Sequence, residues 1–66
     1  MIAQVNGQAI TLQASITIVD LIEQLGYADQ RIAVEINEDI IPKSRHAEHQ
    51  LQDGDKIEII KAVGGG

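Results

Sequence analysis

The sequence has one stretch with helical periodicity, and what this single helix must cover constrains the fold more than any other feature. Its apolar residues Ile18, Leu21, Ile22 and Leu25 recur at positions i, i+3, i+4 and i+7, so they share one helical face. We predict a helix over residues 17–25. Because only one face is apolar, this helix must lie against another layer of structure.

The ends of the predicted helix carry their own signals. Thr17 can cap the N-terminus, with Asp20 three residues later as a variant of the capping box. Gly26 stands where helices commonly end in the left-handed conformation. The later segment KSRHAEHQ is polar and predicts no more than a single helical turn.

A hairpin is predicted at the start of the chain. The segments IAQV and QAITL flank Asn6 and Gly7. An Asn-Gly pair between two apolar runs is a strong hairpin signal because both residues adopt positive φ readily. We therefore predict strands near residues 2–5 and 8–12.

The remaining segments predict further strands. RIAVEIN and KIEIIKAV alternate between apolar and polar residues, as half-buried strands do. Residues 37–39 predict a turn, and Ile40 and Ile41 a short extended piece that Pro42 confines to a sheet edge. The last strand-like stretch is the longest, so we expect it to pair in the middle of the sheet.

The order of elements is strand, strand, helix, strand, short strand, strand, which predicts an α+β domain in two layers. We expect a mixed sheet of four or five strands with one main helix on one face. The predicted core consists of the residues that face this interface: Ile18, Leu21, Ile22, Leu25, Val34, Ile57 and Ile59.

Composition excludes several classes of function. The chain has no cysteine, so it offers neither a thiolate metal site nor a cysteine nucleophile. Its net charge is −5 and Tyr27 is the only aromatic residue, so a basic, stacking surface for nucleic acid is not expected. The longest apolar run has three residues, too short for a membrane span, and no basic residue precedes Arg31 to form a signal peptide. We expect a soluble, cytoplasmic protein.

The sequence finishes on Gly64, Gly65 and Gly66, which a folded domain has little reason to order. Three glycines extend roughly 10 Å past Val63 and carry no Cβ, so they can thread a narrow channel. A terminal carboxylate is an anion and a poor electrophile, but an acyl adenylate made from it is reactive. The alternative is a frayed end without chemistry.

In this order, the segments VNGQAI, TIVDLIEQLG, AVEINEDIIPKS, LQDGDKIEII and the terminal GGG resemble the ThiS family of small sulfur carrier proteins, which have the ubiquitin-like β-grasp fold. The resemblance covers nearly the whole chain. There are two mild departures: many relatives carry a glycine near Glu38, and Gly64 adds a third glycine before the terminal pair. Neither removes a residue that the carrier chemistry needs.

The resemblance implies a division into a β-grasp domain, residues 1–63, and a flexible tail, residues 64–66. It implies that an E1-like adenylyltransferase activates the carboxylate of Gly66, with Gly65 and Gly64 threading the tail into its site. The chain would bind no cofactor stably, because ATP and Mg²⁺ would belong to that partner. A sulfur donor such as a cysteine desulfurase would then supply sulfur for a C-terminal thiocarboxylate.

The resemblance further implies that the thiocarboxylate passes sulfur to a thiazole synthase in thiamine biosynthesis. The chain would thus be a protein co-substrate and not an enzyme. Three alternatives remain open: the small subunit of molybdopterin synthase, a β-grasp interaction module whose tail has no chemistry, and a ubiquitin-like modifier of lysines.

A docking surface for partners is also predicted near the end of the last strand. If Ile57 and Ile59 face the helix, Ile60 and Ala62 face away from it. Exposed isoleucine on a sheet can mark an interface, so we take Ile60, Ala62 and Val63 as candidate docking residues; an isolated apolar surface residue is the alternative.

Two pairs of polar residues are weaker candidates. His46 and His49 have a spacing that suits one helical face for a metal, but a polar surface segment without a third ligand explains them better, so we predict no metal site. Asp53 and Asp55 could pair for acid–base work. A turn centred on the intervening glycine explains them more simply.

Overall fold

The structure, a computed structural model, describes residues 1–61. The predictions that fall on Ala62, Val63 and the three glycines therefore lie outside the described residues. In chain order the elements are β1 (Ile2–Val5), β2 (Gln8–Thr11), α1 (Ile18–Gln24), β3 (Ile32–Ile36), β4 (Asp39–Ile41), a 3₁₀ turn (Lys43–Arg45) and β5 (Lys56–Lys61). Among residues 1–61, no helix is both long and apolar enough to cross a membrane.

The five strands form one mixed sheet in the order β2-β1-β5-β3-β4. The central strand, β5, runs parallel to β1 and antiparallel to β3, while β1 with β2 and β3 with β4 form antiparallel hairpins. The predicted α+β class, the mixed sheet and the central place of the last strand are confirmed. The short strand before Pro42 lies at a sheet edge, as predicted.

The helix is one residue shorter at each end than predicted. Thr17 is the N-cap and keeps an extended backbone (φ −93°, ψ 169°), and Leu25 is the C-cap. The capping box is complete: the Asp20 N–H donates to Thr17 Oγ1 and the Thr17 N–H donates to Asp20 Oδ2, each at 3.2 Å. Gly26 follows with φ +84°, the left-handed conformation that its position predicts.

The core lies between the helix and one face of the sheet. Ile18, Leu21 and Ile57 are fully buried, and Val34 and Ile59 nearly so, as predicted. Ile22 and Leu25 are only partly buried and pack at the margin. The prediction missed a second group of buried residues: Ala3, Val5, Leu12, Ile16, Ile36 and Leu51.

Candidate functional site

The candidate site is the end of β5, because this strand leads toward the terminal glycines. β5 is the middle strand of the sheet, with β1 on one side and β3 on the other. Lys61, the last described residue, therefore lies on the central strand and not at a sheet edge. Because β5 has a neighbouring strand on each side, its backbone is held more tightly than that of an edge strand.

The side chains of β5 divide between the two faces of the sheet. Ile57 and Ile59 are buried under the helix, whereas Glu58 and Ile60 lie on the uncovered face. Ile60 is 47% exposed and pairs across the ladder with Ala33 of β3. The predicted outward orientation of Ile60 is confirmed, and its role in docking stays a prediction.

The uncovered face next to Ile60 is acidic. Glu58 lies directly opposite Glu35 of β3, and Glu38 and Lys56 line the same shallow depression. Like charges directly opposite on neighbouring strands destabilise a sheet. This face therefore combines an exposed isoleucine with a pair of carboxylates that do not stabilise the free domain.

The opposite face has a different contact at the end of β5. The Lys61 ammonium lies 5.4 Å from the centre of the Tyr27 ring, within the range of a cation–π contact. Tyr27 belongs to the loop that follows α1, so this contact joins the last described residue of β5 to the helical layer.

His46, the first residue of the histidine pair, makes a structural contact inside the fold. His46 is buried, and its Nε2 donates to the Ile41 carbonyl oxygen at 2.9 Å, so this nitrogen has no lone pair for a metal. No group of three His, Asp or Glu side chains in the described part of the chain is arranged to hold a metal ion. The interpretation of the segment as a polar surface is wrong for His46, because its side chain is buried and bonded to the backbone of Ile41. The backbone of this segment also binds the helix, since Ile18 and Val19 donate to the carbonyls of His49 and His46.

The aspartate pair belongs to a turn, as the simpler prediction held. Asp53 Oδ1 accepts the Ile2 N–H at 2.7 Å, which ties the turn to the start of β1. Asp55 is buried and accepts from the Gln52 N–H at 2.8 Å and from Asn37 Nδ2 at 3.1 Å. The two carboxylates thus bind different donors and stabilise the turn, and no hydrogen bond joins them to each other.

Two asparagines on either side of β5 have a role that the sequence analysis did not predict. Asn6 Oδ1 accepts the Ile59 N–H at 2.8 Å, and Asn37 Oδ1 accepts the Lys56 N–H at 3.0 Å. For Asn6, the sequence indicated only that an Asn-Gly pair favours a turn. The contact itself joins residues 53 apart in the chain, so no local pattern could reveal it.

Over residues 1–61, fold and site together define a class of protein: a small domain with one mixed sheet and one α-helix, whose central strand β5 precedes three glycines in the sequence. The chain belongs to the ThiS family, whose model matches residues 3–66. Members of this family are small sulfur carrier proteins and not catalytic enzymes.

Relatives agree in sequence and in structure. The chain is 38% identical over 61 residues to the sulfur carrier protein ThiS of Escherichia coli K12, covering 92% of each chain. It superposes on the crystal structure of a ThiS protein from Geobacter metallireducens with a TM-score of 0.86, at 28% identity and with both chains fully covered. The β-grasp fold that the resemblance implied is thereby confirmed.

A longer relative is also similar. The chain is 42% identical over 62 residues to a thiazole synthase of Paramagnetospirillum magneticum and spans only 19% of that protein's length. Together these relatives support a role for the chain in the sulfur transfer of thiamine biosynthesis and favour it over the molybdopterin alternative.

Proposed function

We propose that this chain carries sulfur for thiazole formation as a thiocarboxylate on Gly66. The observation that carries the proposal is the family match, which extends through residue 66 and so includes all three glycines. The architecture supports it, because the strand that precedes the glycines is the central strand of the sheet.

The chemistry begins with activation of the carboxylate by an E1-like adenylyltransferase that binds ATP and Mg²⁺. A Gly66 carboxylate oxygen attacks the α-phosphorus of ATP, and the bond from that phosphorus to pyrophosphate breaks. The terminal sulfur of a persulfide, formed on a donor such as a cysteine desulfurase, then attacks the acyl carbon and expels AMP. A thiol cleaves the resulting S–S bond, becoming oxidised to a disulfide, and leaves the thiocarboxylate.

Thiazole synthase is the proposed recipient of the sulfur. A segment similar to this chain makes up about a fifth of two thiazole synthases, from Paramagnetospirillum magneticum and Magnetococcus marinus. A carrier-like segment within a synthase brings the sulfur and its acceptor together, which supports the pairing of separate chains as well. The synthase and the activating enzyme would meet the carrier in the cytoplasm.

Ile60, on the uncovered face near the end of β5, is a proposed docking residue, together with Ala62 and Val63, which lie outside residues 1–61. Ile60 offers apolar area, and the nearby pair Glu35 and Glu58 favours a partner with basic side chains. Docking there would also relieve the repulsion between the two carboxylates.

The tail variants test the proposed chemistry. One residue added after Gly66, or Gly65→Val, should abolish pyrophosphate release with the activating enzyme, because the first moves the reacting carbon and the second adds a branched side chain in the channel. A misplacement of about 1 Å can cost on the order of a hundredfold in rate. Thermal melts should match the unaltered chain. Equal rates for the extended, uncleaved chain would overturn the proposal.

A matched pair tests the docking surface. Ile60→Ser should raise the KM for the carrier in adenylation, whereas Ile2→Ser should leave it unchanged. Ile2 is similarly exposed, at 55%, but lies on β1 at the opposite end of the sheet from Lys61. An equal KM for both variants would remove Ile60 from the docking surface.

A further inference from the structure

Two turns of the fold make the same kind of contact with the central strand β5: an asparagine side chain in each turn binds its backbone. Each is a two-residue turn with both residues at positive φ: Asn6 and Gly7 between β1 and β2, and Asn37 and Glu38 between β3 and β4. In each, the first residue is an asparagine whose side-chain amide binds the backbone of β5. The two amides act at different points of that strand.

Asn37 acts at the start of β5 and Asn6 near its end. Asn37 Oδ1 accepts from the N–H of Lys56, the first residue of the strand. Asn6 Oδ1 accepts the Ile59 N–H at 2.8 Å, and Asn6 Nδ2 donates to the Ile59 carbonyl oxygen at 3.4 Å. The side chain of Asn6 thus contacts both backbone groups of one residue, as a neighbouring strand would.

The contact lies where the backbone of β1 leaves β5. The last paired residues of these strands are Val5 and Ile57, and the Asn6 N–H donates to the Ile57 carbonyl at 2.9 Å. The chain then turns into the β1–β2 hairpin. The Asn6 amide takes the place of the next peptide group and extends the support of β5 to Ile59, two residues before Lys61.

We infer that Asn6 is a positioning residue for the sulfur-carrying terminus. This inference rests on the proposed function, in which the Gly66 carboxylate must reach the α-phosphorus of ATP. Without the amide, the backbone of β5 beyond Ile57 would be paired with β3 alone, so its end could shift on the side of β1. The five residues from 62 to 66 span at most about 17 Å, so the position at which β5 ends limits how far the reacting carbon can reach into the activating site.

Asn6→Gly and Asn37→Gly form a matched test. Glycine accepts the positive φ of both positions, so each variant keeps its turn and loses one amide. Pyrophosphate release with the activating enzyme and ATP should show about a tenfold lower kcat for Asn6→Gly, with KM within about twofold, because positioning and not docking is impaired. Asn37→Gly should keep the kcat of the unaltered chain, although it loses contacts to both Lys56 and Asp55.

Amide hydrogen exchange on the free protein provides a second readout. The Ile59 amide should exchange faster in Asn6→Gly and keep its protection in Asn37→Gly. Asn6→Asp is the second variant: it retains the acceptor for the Ile59 N–H but places a carboxylate oxygen opposite the Ile59 carbonyl. Its kcat should fall between those of Asn6→Gly and the unaltered chain.

The outcomes separate this inference from the proposed function. An unaltered chain that releases no pyrophosphate overturns both. Normal turnover of the unaltered chain together with an unchanged kcat for Asn6→Gly overturns the positioning role alone. So does a loss of kcat in Asn37→Gly as large as that in Asn6→Gly, because the effect would then follow stability.

Discussion

The β3–β4 turn should become more stable when its second residue is replaced by glycine. Glu38 has φ +75°, whereas Gly7 occupies the equivalent place in the β1–β2 turn with φ +83°. The left-handed region costs a residue with a Cβ about 1–2 kcal/mol. Replacing Glu38 by glycine removes this cost, but glycine's greater conformational freedom in the unfolded chain lowers the stability by about 0.4–1 kcal/mol.

The comparison that isolates the backbone effect is Glu38→Gly against Glu38→Ala. Both variants remove the carboxylate, which lines the same depression as Glu35 and Glu58, and only glycine removes the strain. Glu38→Gly should be more stable than Glu38→Ala by about 0.5–1 kcal/mol, or roughly 2–8 °C in Tm for a domain of this size.

The converse change, Gly7→Ala, should destabilise the domain by a similar amount. A Cβ added at Gly7 meets no atom within 4 Å, so the cost comes from the backbone alone. Far-UV circular dichroism melts measure both effects, since the single tyrosine is a weak fluorescent probe. The reasoning is refuted if Glu38→Gly melts at or below Glu38→Ala, or if Gly7→Ala melts with the unaltered chain.

Three further pairs of substitutions test the fold by chemical denaturation. Leu21→Ala should cost about 2–5 kcal/mol because Leu21 is fully buried, and Ile22→Ala should cost clearly less at its partly buried site; equal losses would contradict the packing. Thr17→Ala should cost about 1 kcal/mol by removing the helix cap, with Thr17→Ser retaining most of the stability; no difference between them would argue against the cap. Asp55→Ala should cost more than Asp53→Ala, because Asp55 is buried and its loss strands two donors; the reverse order would contradict the assigned contacts.

The regular parts of the fold were predictable because each follows a local rule. Alternation in β3 and β5 fixed which side chains face the helix, and the spacing of Ile18 and Leu21 located the helix itself. The Asn-Gly pair placed the first hairpin. These signals depend on neighbours in sequence, so they were readable without knowledge of the tertiary structure.

The irregular segments were not predictable in the same way. Ile16 and Leu51 are buried although they lie outside every helix and strand, so no periodicity indicates which way they face. Leu12 is also buried, but it lies one residue beyond β2, which is shorter than the predicted strand. His46 is buried and donates to the carbonyl of Ile41, a contact that its polar surroundings in the sequence conceal. Burial in such segments is decided by tertiary packing.

The candidate site was predictable only in part. The outward face of Ile60 followed from strand alternation, whereas the amide contact from Asn6 to Ile59 depends on two segments that meet only in the folded protein. The roles of Gly64, Gly65 and Gly66 are predictions that fall outside residues 1–61. These roles concern adenylation and sulfur transfer, so assays of those two reactions test them.

The most direct test of the central claim is the intact mass of the chain after reaction. The protein is incubated with an E1-like activating enzyme, ATP and a persulfide source, and then compared with a sample lacking ATP. The account predicts an ATP-dependent gain equal to the mass of sulfur minus that of oxygen, located on Gly66 by fragmentation. An unchanged mass beside a control ThiS protein that does gain sulfur, or a gain on any other residue, would contradict the account.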